Sequence, residues 1–427
     1  MTQSKFARRD FLTSASAVGC GLAIGTGMPG PWMQALANSA PSGDRVLVVI
    51  QLSGGNDGLN TVVPYRDEAY RKARPKLGVP ATDVLKINSE IGFHPALEGV
   101  SRLMEGGRFS IVQGVGYPKP NRSHFESMDI WHTCQTKKDR APEGWLGRWI
   151  ANAQREAKQD SLGLHLGSEQ QPLALVGRGV QVPSVASINQ FRWNVQPADL
   201  TEIQTPEQLG SLRDAKSSKE LEMEKQTKEG IQSNDLLGFV QSSTASALEA
   251  SQRLDAALKN PDGGKDFPSS PLGEKLKIIS RLISAGLSTR VYYVTLDGFD
   301  THSQQSLAHA GLLRQWSEAL TAFVKRLETT GHADRVAVMT FSEFGRRVAE
   351  NASEGTDHGA AAPIFFAGPR MPSQIIGEVP NLVDLNDGDI KFKIDFRQVY
   401  SSIIEQWFEG NSSLIFGTSY PGLKLFS

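Results

Sequence analysis

Cysteine is nearly missing from this chain. Only Cys20 and Cys134 occur in 427 residues. Cys20 falls in an N-terminal segment expected to be removed, so Cys134 has no intrachain partner and no disulfide can form. Its simplest reading is a buried small hydrophobe. An excess of one charge is missing as well. Lys and Arg number 45 against 46 Asp and Glu, a net charge of -1. That balance leaves no basic footprint for nucleic acid and no charge to dock on a membrane surface. Beyond the N-terminal segment no apolar run is long enough for a transmembrane helix. No internal repeat or low-complexity tract stands out. No Gly-x-Gly-x-x-Gly follows the first apolar run, which argues against a dinucleotide site. No Gly-x-Ser-x-Gly elbow with its partners is present, which argues against acyl transfer by that route.

An export signal is present. Ala7-Arg8-Arg9-Asp10-Phe11-Leu12 opens the chain, residues 13–28 are mildly apolar, and Ala35-Leu36-Ala37 is a small-x-small pattern. Charged start, apolar stretch and small-residue cleavage site are the parts of a secretory signal. Paired arginines with mild apolarity point to the twin-arginine route. The stretch is too short and too rich in Gly to anchor the chain well across a bilayer. Cys20 after Gly19 also admits a lipoprotein reading, but Ala17 stands where such sites usually carry Leu. The expected product, cut after Ala37, has roughly 390 residues and is periplasmic or extracellular. The twin-arginine translocase is its expected partner during export, and no stable membrane insertion follows cleavage.

Residues 38–427 read as one α/β domain. Short β-branched runs with few charges lie at Val46–Leu52, 109–115, Val291–Leu296, Val336–Phe341 and 364–366. Such runs read as buried strands of a parallel sheet. Helical spacing marks 95–104, 125–132, 272–285, 311–330 and 396–408, with Asp395 and Gln398 spaced as a capping box. Alternation of the two predicts a mostly parallel sheet with helices on both faces. Residues 213–228 are rich in Lys, Glu, Ser and Gln, and 236–258 regain helical spacing. Residues 200–270 are therefore expected to be a helical insertion.

The residues that carry chemistry follow the strands. Ser53-Gly54-Gly55-Asn56-Asp57-Gly58 follows the first, Asn121-Arg122-Ser123-His124-Phe125 the second, Asp297-Gly298-Phe299-Asp300-Thr301-His302 the third and Ser342-Glu343-Phe344-Gly345-Arg346-Arg347 the fourth. Asp357-His358-Gly359 precedes the last. In an open α/β sheet, ligands bind beyond the carboxyl ends of the strands. Singly, each loop has a plain reading. Asn56-Asp57-Gly58 is a common turn, Ser123 with Glu126 a capping box, Glu343 with Arg346 and Arg347 an ion pair. Together they predict one composite site. Asp300, His302 and His358 can ligate one cation, and Asp57 and Glu343 offer further oxygens. Zinc, manganese, magnesium and calcium all fit such donors, as one ion or two. Ser123 at a helix start is the candidate nucleophile. Arg122 and Arg346 are candidate anion clamps, and His124 a candidate acid or base. The set suits phosphoryl or sulfuryl transfer to or from an anionic ester.

These same motifs, with the twin-arginine start, resemble the bacterial "domain of unknown function 1501" family over nearly the whole mature chain. That family is distantly similar to the alkaline phosphatase and sulfatase superfamily. Its members hydrolyse or transfer phosphate and sulfate esters with one or two metals and a Ser, Thr or modified Cys nucleophile. The resemblance implies an alkaline phosphatase-like fold, with Asp57 as the first metal-binding acid and Ser123 in the nucleophile slot. Asp300 and His302 correspond to one metal site, and His358 to the late histidine ligand. One departure stands out. Glu343-Phe344 occupies a place where many relatives have Asp-His, which removes one histidine ligand. A metal-dependent ester hydrolase and a non-catalytic binding or assembly protein on the same fold are both compatible with it.

Overall fold

The β-branched runs form the strands of one central sheet. The computed structural model describes residues 44–136, 142–153, 161–185, 266–368 and 372–426. The export signal and nearly all of the expected insertion at 200–270 lie outside the described residues. Nine strands pair in the sheet. They are β1 (Val46–Leu52), β2 (Phe109–Gly116), β3 (Gly163–Leu166), β4 (Ser184–Val185), β5 (Val291–Leu296), β6 (Val336–Phe341), β7 (Ala362–Ala367), β8 (Ile375–Ile376) and β9 (Ile394–Asp395). Their order is β8-β2-β7-β6-β1-β5-β3-β4, with β9 also paired to β2. β1 is central, with Val49 in register with Tyr293 of β5 and with Met339 of β6.

Both faces of the sheet are covered, as the uninterrupted burial of β1 requires. Successive side chains of a strand point to opposite faces. Val46, Val48, Ile50 and Leu52 enter one apolar core, and Leu47 and Val49 the other. In chain order the helices used below are α1 (Gly58–Thr61), α2 (Glu68–Ala73), α3 (Glu98–Glu105), α4 (His124–Thr133), α5 (Trp145–Ala153), α6 (Pro271–Ser284), α7 (Gln305–Thr329) and α8 (Phe396–Ser402). The first core is closed by α3, α6 and α7 through Val100, Ile279, Trp316 and Phe323. The second is closed by α4, α5 and α8 through Trp131, Trp145, Val399 and Tyr400. Cys134 is buried in that core, and burial pushes its thiol up to about 12. Asp395 and Gln398 form the capping box of α8. No helix among the described residues is long and apolar enough to cross a membrane.

One strand corrects the sequence reading. The run at 364–366 was expected to be parallel, yet β7 is antiparallel to both β2 and β6. Every other pairing in the sheet is parallel. The segment between β6 and β7 contains no helix among its assigned elements, so it supplies no crossover that would return the chain to the far end of the sheet. β7 therefore starts where β6 stops. The reversal has a functional result. His358 precedes its strand in sequence, yet it lies with loops that follow β1, β2, β5 and β6.

Candidate metal centre

The first loop is built for close approach. Gly54 and Gly55 have positive φ of 115 and 82, a region open to Gly at little cost. A Cβ on Gly54 would collide with the Asp300 backbone, and one on Gly55 with the Phe344 ring. The turn after β1 thus lies directly against the loops after β5 and β6. Arg346, wholly buried, ties these loops together. It donates to Gly55 O at 2.8 Å, Phe299 O at 3.0 Å and Thr356 O at 2.7 Å, to Gly54 O, and to Asp300 Oδ1 at 2.7 Å.

Four side chains converge in front of this framework. Nε2 of His302 and Nε2 of His358 are 2.8 Å apart. They lie 3.0 Å and 3.1 Å from Asp300 Oδ1. Nε2 of His124 is 3.4 Å from Asp300 Oδ2. One donor atom each from His124, Asp300 and His358 falls within 4.8 Å of the others. His124 begins α4, and its Nε2 is buried without a hydrogen-bond partner. Phe344 walls the group, its ring centroid 5.0 Å from that of His124 and 4.8 Å from that of His358.

Each ring has a partner behind it at Nδ1. His358 Nδ1 lies 2.7 Å from Arg122 O, and a carbonyl only accepts, so Nδ1 carries the hydrogen. His124 Nδ1 donates in the same way to Glu343 Oε1 at 2.9 Å, and His302 Nδ1 faces Asp357 Oδ1 at 3.3 Å. The Asn351 hydrogen bond is the main cause that lowers the Asp357 pKa, so that carboxylate is ionised and accepting at neutral pH. With Nδ1 carrying the hydrogen in each neutral ring, the three Nε2 lone pairs would face inward. Metal-binding histidines have this arrangement, with the far nitrogen held by a carboxylate or carbonyl. Burial raises the Asp300 pKa, but the hydrogen bond from Arg346 and that guanidinium's charge help overcome it and bring it to about 2. The Glu343 hydrogen bond raises the His124 pKa, against the effect of burial.

The donor set fits a small divalent cation. Tetrahedral zinc with bonds of about 2.0–2.1 Å places its donor atoms about 3.3 Å apart. The separations of 2.8, 3.0 and 3.1 Å among His302 Nε2, His358 Nε2 and Asp300 Oδ1, and of 3.4 Å from His124 Nε2 to Asp300 Oδ2, lie around that value. Three imidazoles and one carboxylate suit zinc or manganese better than calcium, which prefers more oxygens.

The other residues singled out from sequence take different places. Asp57 is buried away from the four donors. Its Oδ2 pairs with Arg74 Nη1 at 2.6 Å and accepts from Gln305 Nε2, and its Oδ1 accepts the Asn60 N–H at the start of α1. Asp57, expected among the ligands, is engaged by Arg74 and is not one of the four converging donors. Glu343 accepts from Gly54 N and His124 through Oε1 and from Ser342 through Oε2, so it stands behind His124 and not among the converging donors. Arg346, expected as an anion clamp, has every guanidinium nitrogen on an acceptor within the protein. Arg122 pairs with Asp387 and Asp389. Ser123 is exposed at the N-cap of α4 and makes no side-chain cap bond, so the expected capping box with Glu126 does not form. It lies between Arg122, whose carbonyl holds His358, and His124. Sequence reasoning missed His124 as a donor. The signal was present, since a histidine at a helix start after a strand loop sits where α/β proteins bind ligands.

A mixed, mostly parallel α/β sheet gathering three imidazoles and a carboxylate beyond its strand ends places the protein among α/β proteins with a candidate metal centre. The chain belongs to the family described as Protein of unknown function (DUF1501), whose profile matches residues 44–387. No curated protein matches it. Solved structures similar to it include the PsFucS1 sulfatase from Pseudoalteromonas sp., at 10% identity and TM-score 0.38, covering 89% of this chain and 71% of that one. The lipoteichoic acid synthase LtaP from Listeria monocytogenes is similar at 10% identity and TM-score 0.34, covering 81% and 73%. The C-terminal periplasmic domain of EcEptC from Escherichia coli, in complex with Zn, is similar at 9% identity and TM-score 0.33, covering 76% and 73%.

Proposed function

We propose that this chain is an exported, metal-dependent hydrolase of phosphate or sulfate esters. The observation that carries the reading is the convergence of three Nε2 atoms on the Asp300 carboxylate. Two of those nitrogens, on His302 and His358, are 2.8 Å apart. Two lone pairs at that distance repel unless a proton or a cation lies between them. His124, His302, His358 and Asp300 would hold the ion, and Glu343, Arg122 O and Asp357 would fix the rings. When bound, a divalent cation supplies Lewis acidity to an ester oxygen. Ser123, exposed and without a capping role, is the proposed nucleophile. His124 cannot be both a ligand and a free acid or base, and its clamped ring assigns it to the ligands. Phe344 fills space beside His124 and His358, and the reading takes one ion as the complement.

Elemental analysis of protein purified from its native compartment tests the centre. The expected result is about one equivalent of zinc or manganese, lost on chelation and regained on titration. Protein with no metal and no affinity for it overturns the reading. Ser123→Ala tests the chemistry. Turnover of generic aryl phosphate and sulfate esters is expected to fall by about 100-fold or more. Equal rates for both proteins favour a non-catalytic binding protein on the same fold, which a single walled ion site also suits.

A further inference from the structure

One charged group beside the centre has no part in holding a cation. Strands 385–386 and 389–390 pair with Asn386 opposite Asp389, leaving Asp387-Gly388 as a two-residue turn. Both turn residues have positive φ, 53 and 81, as a tight hairpin of this kind requires. The turn carries the Asp387 carboxylate between two guanidinium groups. Its Oδ2 is 2.9 Å from Arg122 Nη2 and 3.6 Å from Arg347 Nη2. Asp389 lies beneath. Its Oδ2 accepts from Arg122 Nε at 3.0 Å and Nη2 at 2.7 Å, and its Oδ1 is 3.9 Å from Arg347 Nε.

The two acids differ in kind. The Asp389 side chain is 3% exposed and that of Asp387 is 75% exposed, while both arginines are about one-third exposed, at 35% and 34%. Asp389 therefore aims Arg122 from below whether or not Asp387 is in place. Asp387 is held only by surface ion pairs, which contribute little and are readily exchanged. Both arginines are also rooted at the centre. The Arg122 carbonyl holds His358 Nδ1 at 2.7 Å, and the Arg347 N–H donates to Asp357 O at 3.0 Å.

The geometry points to an oxyanion subsite formed by Arg122 and Arg347, in which Asp387 occupies the place of a substrate's second anionic group and is displaced by it. A carboxylate, phosphate or sulfate group carried beside the scissile ester has the required chemistry. Arginine forks bind such groups through charge-assisted, often bidentate bonds stronger than those of an exposed ion pair. This rests on the proposed ester hydrolase for the meaning of the subsite, and it narrows the substrate to esters bearing a further negative charge.

Calorimetric titration of inorganic sulfate into the mature chain and two variants tests it. Asp387→Asn keeps the turn, because Asn tolerates positive φ, and removes the competing charge. Arg347→Gln removes one fork at a partly exposed position. Sulfate is expected to bind roughly tenfold more tightly to Asp387→Asn, and the double variant with Arg347→Gln is expected to lose that gain. Metal content, measured on every sample, is expected to stay unchanged. No gain in Asp387→Asn, or a gain that survives Arg347→Gln, overturns the subsite while a metal-loaded protein keeps the centre. A protein without metal that still shows the gain overturns the centre and keeps the subsite.

Discussion

His302 and His358 present Nε2 atoms to each other at 2.8 Å, with Asp300 Oδ1 within 3.1 Å of both. Replacing either histidine by Ala removes a donor and leaves its neighbour facing a gap. His358→Ala is expected to lower bound metal to background after gel filtration, as measured by elemental analysis, with the fold retained by circular dichroism. The residues behind the donors act more mildly. Glu343→Gln weakens the acceptor that fixes the His124 ring, and partners of this kind usually alter metal affinity by about 10–100-fold. A competition titration with a chromophoric chelator reads that change, and an affinity within twofold of the parent contradicts the role of Glu343. At this scale the sequence showed part of the site. Asp300, His302 and His358 stood in loops whose residue types matched cation ligands. His124 was read for its neighbour, the Ser123 hydroxyl. Asp57 looked like a ligand because its partner Arg74 belongs to no local pattern.

Secondary elements connect that site to the body of the protein. Arg74, just past α2, donates to Asp57 Oδ2 at 2.6 Å, Asn60 Oδ1 at 2.7 Å, Val348 O at 2.9 Å and Arg347 O at 2.9 Å. One buried guanidinium thus fastens α1 and α2 to the loop between β6 and β7. Asp57→Ala leaves that charge buried and unpaired, a change that typically costs about 3–5 kcal/mol. Urea unfolding at neutral pH measures it. Burial raises the Asp57 pKa, but Arg74, His309 and Gln305 outweigh it and hold it below the ordinary 3.8. A carboxylate whose folded pKa is depressed contributes stability above its unfolded pKa and loses it as pH falls through the folded value. The stability that Asp57 contributes is therefore expected to be lost on acidification below about pH 5. Asp57→Asn should show a smaller loss over the same interval, and equal losses in the two proteins refute the assignment. Most long strands and the helices α3, α4, α6, α7 and α8 were legible in their apolar spacing, while α1, α2 and α5 were not. The direction of β7 was not, because an apolar run buried on both faces reads the same in either direction.

Among the described residues the central sheet carries an apolar core on each face, a third apolar cluster surrounds Tyr70, and the candidate site is gathered beyond the strand ends. Its donors come from the loop into α4, the loop after β5 and the loop before β7, so the centre exists only once the sheet has formed. A twin-arginine route, which carries folded proteins, suits a chain whose proposed ion is bound before export. The signal at Arg8 and Arg9 lies outside the described residues, and its role stays a proposal with a direct test. Replacing both by Lys is expected to leave the protein in the cytoplasm, read by fractionation and immunoblot. Unchanged export refutes the route. Sequence by itself determined where most long helices and strands lie, which loops carry polar residues and that the sheet is buried on both faces. Those properties follow from residue spacing within a few turns or a few strand positions. Tertiary structure alone decided the strand order, the reversal of β7 and the partner of each polar side chain. His124 meets Glu343 across 219 positions, and His358 meets Arg122 across 236. Pairings at such distances are set by sheet register and by competition among buried groups, and no local pattern records them.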